Sequence, residues 1–391
     1  MVTLLISTVG TSGIYVESVV LPAVQAEFGV SRSDASIPYA LTMLGFGLGG
    51  ILMGRVADRF GVMVPVMIGG VSLLAGFVAA AMAGSLWMFA IAHGLLVGLL
   101  GSAPNFGPLV ADTSLWFERR RGIAVAICAS GNYVAGTLWP PLTQHFVELY
   151  GWRATYVGIG VLLMRPRPPV AAAAAPGAPV SRASERPFGM TPNRAQVVLS
   201  VSAVACCVAM AMPQVHIVAY CADLGYGAAR GAQMLSIVLG CGIISRLGFG
   251  LISDRIGGLR TLLLGAVLQA VALALFLPFD GLVSLFVISA LFGLFQGGIV
   301  PSYALVIREY FPAGQAATRV GDVLMFTLFG MALGGWMTGK VFDLTGSYQA
   351  AFVNGIGWNF VTVTIATTLL VRARRLYGEP MLRAVPARTP G

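Results

Sequence analysis

A succession of long apolar runs limits what this chain can fold into more than any other feature. The first set falls near residues 3–26, 35–57, 62–83, 86–112, 120–145 and 151–164. A second set falls near 195–220, 230–252, 260–279, 282–308, 317–340 and 348–371. A helix crossing a hydrocarbon core needs about 20 apolar residues, so twelve such spans with short loops use most of the 391 residues. Only 10% of the chain is charged and 57% is hydrophobic, whereas soluble domains carry roughly 25% charged residues. Its main solvent is therefore lipid. The 50 glycines suit helices that must pack closely there. The expected fold is an all-α membrane protein with twelve transmembrane helices.

Charge placement orients the spans. The net charge of +9 does not point to nucleic acid, because the basic residues lie between apolar runs rather than in one patch. Nineteen of the 24 Lys and Arg residues fall in the loops after spans two, four, six, eight and ten or in the C-terminal tail. The opposite side holds Arg32, Arg153, Arg230 and Lys340, and Arg246 lies inside a span. Basic loops stay cytoplasmic, which places both termini inside and the chain in the inner (plasma) membrane. No cleavable signal peptide is expected, since the first apolar run lacks a basic leader. Span six is short: from Trp152 to Met164 there are 13 residues, about 20 Å of helix. Removing it would invert every later span and turn Arg255, Arg260, Arg308 and Arg319 outward, so it should still cross. Residues 1–164 then form one bundle and 194–375 another, with 165–193 as a Pro-, Ala- and Arg-rich cytoplasmic linker and 376–391 as a disordered tail.

The two sets share a motif. Gly54-Arg55-Val56-Ala57-Asp58-Arg59-Phe60-Gly61 follows span two, and Gly250-Leu251-Ile252-Ser253-Asp254-Arg255-Ile256-Gly257 follows span eight. The recurrence of G-x-x-small-D-R-x-G about half a chain apart marks a duplicated six-helix unit, hence two pseudo-symmetric bundles. Glycine permits the tight turn, and each aspartate can meet a helix N-terminus or an arginine. Asp58, Arg59, Asp254 and Arg255 are therefore candidate gating residues; the alternative is that they only shape turns and topology.

The Asp-Arg-Phe-Gly loop resembles the signature loop of the major facilitator superfamily, and the likeness extends over nearly the whole chain. It departs at Val62 and Met63, where that family usually has basic residues. Trp116-Phe117-Glu118-Arg119-Arg120-Arg121-Gly122, followed by Ala129-Ser130-Gly131-Asn132, resembles the monocarboxylate and oxalate/formate branch. Span five, with Gly136 leading to Trp139-Pro140-Pro141, lacks the Gly-Pro pattern of many drug/proton antiporters.

A charge at mid-bilayer costs roughly 2.5–3.5 kcal/mol on insertion scales, so two intramembrane charges stand out. Arg246 lies eight residues before Asp254, about 12 Å deep, and Glu17 lies ten before Glu27, about 15 Å deep. They belong to different halves, and the midplane between halves is where such carriers hold solute. The branch resemblance implies that Arg246, in Ser245-Arg246-Leu247-Gly248, binds a substrate carboxylate. The acidic residue usual one turn earlier is here Gly242, and Glu17 stands near the place of a span-one lysine. We therefore expect Glu17 to pair with Arg246 in the empty site and to couple a proton; both could instead be fixed structural charges. Asn105, Asn132, Tyr133, Gln296 and Tyr303 are candidate lining residues or interhelical hydrogen bonds. His93 and His216 could titrate nearer the outer ends. Asp112 and Asp322 should pair with basic loops. Pro104, Pro108, Pro140, Pro141 and Pro301 should kink their helices.

Cys128, Cys206, Cys207, Cys221 and Cys241 all lie in apolar runs without metal-ligand spacing and read as reduced packing thiols. No phosphate-binding G-x-x-x-x-G-K-[ST] loop occurs, no cofactor or metal is implied, and no enzyme constellation is found. The expectation is a monomeric, gradient-driven secondary transporter of a small organic anion, a monocarboxylate with a proton, by alternating access. The alternative is a proton-coupled exporter of drugs or other amphipathic compounds.

Overall fold

The computed structural model describes residues 2–105, 109, 121–163 and 186–377. The linker residues 165–185 and the tail beyond 377 lie outside that description. So does most of 106–120, which carries Asp112 and the Trp116–Arg120 motif. The N-terminal elements are α1 (Val2–Gly10), α2 (Ser12–Phe28), the single turn α3 (Arg32–Ala35), α4 (Ile37–Phe60) and α5 (Met63–Ala81). They are followed by α6 (Leu86–Ser102) and α7 (Arg121–Leu163). Next come α8 (Pro192–Asp223), α9 (Ala228–Ile256), α10 (Gly258–Leu275), α11 (Leu282–Gln296) and α12 (Ile299–Tyr310). The chain closes with α13 (Ala313–Thr345) and α14 (Tyr348–Tyr377). Nine helical stretches among the described residues are long and apolar enough to cross a membrane, and Leu86–Ser102 is a shorter one.

Local chemistry sets where the rods bend. α7 is continuous in hydrogen bonding but turns at Gly151, whose φ of 78° is a conformation open mainly to glycine. Its second arm is the sixth run, described as far as Leu163. α11 and α12 meet at Gly297-Gly298. Pro301, expected to kink the tenth run, instead sits in the first turn of α12, where a missing N–H costs nothing. Pro140 and Pro141 do lie inside α7. From Ala92 onward α6 widens into π-helical turns, a geometry frequent at functional sites.

The helices before residue 164 pack on one another, and those after 192 do the same. Two long seams join the groups: α7 along α9, and α4 along α13. Met67, Val71, Val161, Leu251, Val283 and Phe360 are each more than half exposed. Such a girdle of large apolar side chains on a helical bundle is what a lipid-facing surface looks like.

Glycine sets the closest approaches. Gly45 and Gly49 of α4 back onto Gly94 and Leu99 of α6, and Gly94 and Gly98 of α6 back onto Leu41 and Thr42 of α4: a Cβ on Gly45 would stand 2.1 Å from the Gly94 carbonyl oxygen, and one on Gly98 2.6 Å from that of Thr42. Each pair is spaced by four residues, so two small-residue faces meet backbone to backbone. The C-terminal group repeats the device, with Gly293 and Gly297 of α11 against Val238 and Gly242 of α9. These contacts are to backbone atoms, so no rotamer change relieves a clash. Gly45→Val should therefore destabilise the protein by about 1–3 kcal/mol, lowering its thermal unfolding midpoint in detergent. Gly50→Ala, with nothing within 4 Å of its Cβ position, should leave the midpoint in place.

Candidate functional site

The α7–α9 seam gathers several of the residues singled out from sequence. The guanidinium carbon of Arg246 lies 4.2 Å from the centroid of the Tyr133 ring, within cation–π range. That ring reaches its place because residue 242 is glycine: a Cβ there would be 2.3 Å from Tyr133 Cε1. The aromatic face thus fills the space where a side chain one turn before Arg246 would project. Tyr15 of α2 packs on Gly136 of α7 and stands in electrostatic reach of Asn132, Tyr133 and Arg246. Ser236 of α9 donates to the Thr137 carbonyl of α7, tying the two helices beside the site. Asn132, Tyr133 and Arg246 therefore meet, and Tyr15, which sequence reasoning passed over as an ordinary aromatic, joins them.

The other expected lining residues separate. Gln296 of α11 accepts a hydrogen bond from Gln214 of α8 at 2.8 Å. Its neighbour Gly297 backs onto Gly242 and Ser245, so Gln296 lies on the C-terminal wall near Arg246. Tyr303 is fully buried and shares a 2.9 Å hydrogen bond with Ser202; this places it in the packing between α12 and α8, away from the seam. The side chain of Asn105 lies outside the described residues. A groove of about 370 Å³ between the two arms of α7, lined by Trp139, Phe146, Tyr150, Ile159 and Leu162 among others, contains no charged residue. It suits lipid rather than a charged solute.

Glu17 does not pair with Arg246. Its carboxylate turns into the N-terminal group, where Oε2 lies 3.2 Å from His93 Nδ1 of α6 and 3.0 Å from Thr42 Oγ1 of α4. Glu17 is 2% exposed and His93 fully buried. The close α4–α6 packing holds Thr42 and His93 together here. Phe77, Phe89 and Tyr156 surround the imidazole with ring centroids 4.6–6.5 Å away. His93, expected near an outer end, is thus the partner of the buried acid. His216 is also buried, with Nε2 2.8 Å from the Gly335 carbonyl oxygen across α8 and α13.

The end of the bundle opposite the termini is clamped shut. Asp343, at the end of α13, accepts the backbone N–H groups of Arg32 and Ser33, each at 2.8 Å. It thereby caps α3 from the other half of the molecule. The Arg32 side chain donates to the Tyr348 hydroxyl at 2.6 Å and pairs with Asp223 at 3.2 Å. Its guanidinium also lies 4.9 Å from the Phe342 ring centroid. Gly339 permits the approach, since a Cβ there would stand 2.8 Å from the Arg32 carbonyl oxygen. Sequence reading missed this lock; the available signal was two acidic residues, Asp223 and Asp343, on the face nearly bare of basic ones.

At the opposite end the second copy of the repeated motif is unlatched. Asp254 and Arg255 are exposed and form no ion pair or hydrogen bond among the described residues. Arg59 lies over its neighbour Phe60, 5.3 Å from the ring centroid, and the Asp58 side chain is outside the described residues. Glu309, not singled out from sequence, accepts the Gly258 backbone N–H at 2.8 Å and 3.1 Å. It caps α10 directly after the second motif.

A bundle of lipid-facing helices, a cation at the seam between two helix groups, and one closed end define a membrane transporter rather than an enzyme. The model of the Major Facilitator Superfamily matches residues 3–280 and 197–380. The chain belongs to that superfamily, and its resemblance to the monocarboxylate branch holds among curated relatives. It is 28% identical over 329 residues to monocarboxylate transporter 13 of Rattus norvegicus, covering 82% of this chain and 75% of the relative. It is 26% identical over 368 residues to monocarboxylate transporter 4 of Gallus gallus, covering 89% and 75%. Among solved structures, a bacterial homolog to the human lysosomal transporter Spinster, inward-facing and occupied, superposes with a TM-score of 0.72 at 14% identity. That match covers 99% of this chain and 98% of the other. A peptide transporter POT in complex with sulfate gives 0.73 at 14%, covering 97% and 95%. The structural matches establish the fold.

The clamp makes a direct prediction. Charge-assisted hydrogen bonds contribute about 1.5–3 kcal/mol each, so Asp343→Ala should release α3. A cysteine placed at the buried Ser36 should then react with a membrane-impermeant maleimide at least about tenfold faster than in the unreleased background. An unchanged rate would mean that the Arg32–Asp343 contact does not hold this end closed.

Proposed function

We propose that this chain carries a small organic anion, a monocarboxylate, together with a proton, by alternating access between two six-helix halves. The observation that carries the reading is Arg246: a guanidinium at mid-span depth, on the seam between halves, beside Tyr133, Asn132 and Tyr15. An arginine fork matches a carboxylate with two parallel hydrogen bonds, and the aromatic face steadies the cation. Gln296 is assigned to the C-terminal wall of the same site. Proton coupling is assigned to Glu17.

The helix arrangement supports two equivalent halves. Counting α1–α2 and α11–α12 as single broken crossings, and α7 as two, yields twelve spans: six in residues 1–164 and six in 194–375. The second helix of each half, α4 or α9, then packs along the fifth of the other, α13 or the first arm of α7. That reciprocity is what a two-fold relation between duplicated halves produces. The charge bias of the loops puts both termini in the cytoplasm, with the carrier working as a monomer in the plasma membrane. On that orientation the Arg32 clamp is the outer gate, and it is closed. The unlatched Asp254-Arg255 loop is at the cytoplasmic mouth, so the conformation is open inward.

Thermal-shift titration of the purified protein with lactate and pyruvate, as simple monocarboxylates, tests the reading. Arg246→Ala should weaken the stabilising effect of either anion by about ten- to a hundredfold in concentration, the equivalent of one charge-assisted contact. Arg246→Lys should retain part of it, keeping charge without the fork. Equal anion responses in the parent and Arg246→Ala proteins would exclude this site. Stabilisation of both by lipophilic cations would favour the exporter of amphipathic compounds instead.

A further inference from the structure

We infer that the coupling proton is held not at the seam with Arg246 but inside the N-terminal half, on a Glu17–His93 pair whose protonation is read by Thr42. The inference rests on the transport reading above and gives its proton a seat.

Three features converge. First, Glu17 and His93 are 2% and 0% exposed, and no lysine or arginine among the described residues pairs with Glu17. A carboxylate left ionised there, beside a neutral imidazole, would be an uncompensated charge at membrane depth, which is strongly disfavoured. One proton makes the pair neutral. Second, Glu17 Oε1 and both ring nitrogens of His93 lack a hydrogen-bond partner, so the pair has unused atoms at which a proton can be held.

Third, Thr42 Oγ1 lies 3.0 Å from Glu17 Oε2 and 2.9 Å from the Pro38 carbonyl oxygen. A hydroxyl has one hydrogen to give and lone pairs to receive with. When Glu17 is protonated, its O–H donates to Thr42 and Thr42 donates to Pro38, so every group is satisfied. When Glu17 is ionised, Thr42 must turn its hydrogen to the carboxylate and release Pro38. Pro38 lies in the first turn of α4, two residues after Ser36, whose hydroxyl bonds the Arg32 carbonyl at 2.8 Å. Proton loss is thereby communicated to the segment that carries the outer clamp.

The surroundings do not supply another explanation. The titratable groups facing Glu17 are His93 of α6, Tyr39 of α4 and Tyr156 of α7. Cys207 of α8 stands beyond Tyr39. Arg246 of α9 acts on Tyr15, on the same helix as Glu17, and forms no ion pair with the acid. The exchange is a simple one: a proton from water adds to Glu17 Oε1 when that side opens, and leaves to water when the other does.

Infrared difference spectroscopy of the purified, solute-free protein tests this directly. The parent should show a protonated-carboxyl band that disappears as pH rises and is missing in Glu17→Gln. Thr42→Val should shift the frequency of that band, because it removes the hydrogen-bond partner of Glu17 Oε2. A band unaffected by Glu17→Gln, or a Glu17 that stays ionised throughout, would overturn the proposal. In liposomes loaded with lactate, Glu17→Gln should lower pH-driven accumulation at least tenfold more than equal-pH exchange, whereas Arg246→Ala lowers both together. Equal losses of the two activities in Glu17→Gln would also count against it. If the parent moves neither lactate nor pyruvate, the anion reading falls, while the infrared titration still decides whether the pair binds a proton.

Discussion

A charged group removed from water needs its compensation within a few ångströms, and that requirement organises this molecule. Most charges escape it by lying at helix ends. Several have local partners: Arg32 is paired with Asp223, Arg153 with Glu27 at 2.6 Å, Glu309 with the Gly258 N–H, Glu17 with His93 and Thr42, and Arg246 stands on the Tyr133 ring. The matches differ in kind, and the difference tracks what each can do. Carboxylate-to-arginine pairs at the bundle ends are latches. An aromatic face beside an arginine is a weaker contact than a full ion pair.

Packing decides which of these groups can meet. The α4–α6 contact is so close that only glycine fits at 45, 49, 94 and 98, and that contact carries Thr42 to within reach of the Glu17–His93 pair. On the other side, Gly242 and Gly136 admit the rings of Tyr133 and Tyr15 to the seam. Glycine is usually read as flexibility in a helix. Here it supplies proximity, since without a Cβ two backbones or a backbone and a ring can occupy adjacent space.

Much of the architecture was legible in the sequence because lipid imposes a one-dimensional rule: apolar length, basic loop, apolar length. The long apolar helices and the break near residue 151 follow from counting along the chain. The partners were not legible in the same way. Glu17 and Arg246 share a depth, which invited pairing, but depth fixes only one coordinate. The azimuth of Glu17 on its helix turns it toward α4 and α6 instead. The Arg32 lock was hidden for the same reason: it joins residues 311 positions apart, and nothing local in either segment announces the other. Pro301 misled differently, because the adjacent Gly297-Gly298 made the bend first and left the proline in an unstrained first turn.

The separation of the two buried charges has a consequence for how a proton could drive an anion. If acid and arginine shared one site, coupling would be competition: the anion displaces the carboxylate, which then takes a proton. With Glu17 facing α4 and α6, direct displacement is not available. The link must pass through structure that both sites bias. Two such elements exist in the contacts. α2 carries Tyr15 against the arginine site and Glu17 against the proton site, one half-turn apart on the same helix. α4 carries Thr42 beside Glu17 and, through Pro38 and Ser36, reaches the α3 segment clamped by Asp343. On the proposed reading, an anion at Tyr15 and a proton at Glu17 would act on neighbouring helices that both lead to the Arg32 clamp. Coupling in this arrangement is a shared preference for one conformation, so each ligand should favour the binding of the other by the same factor.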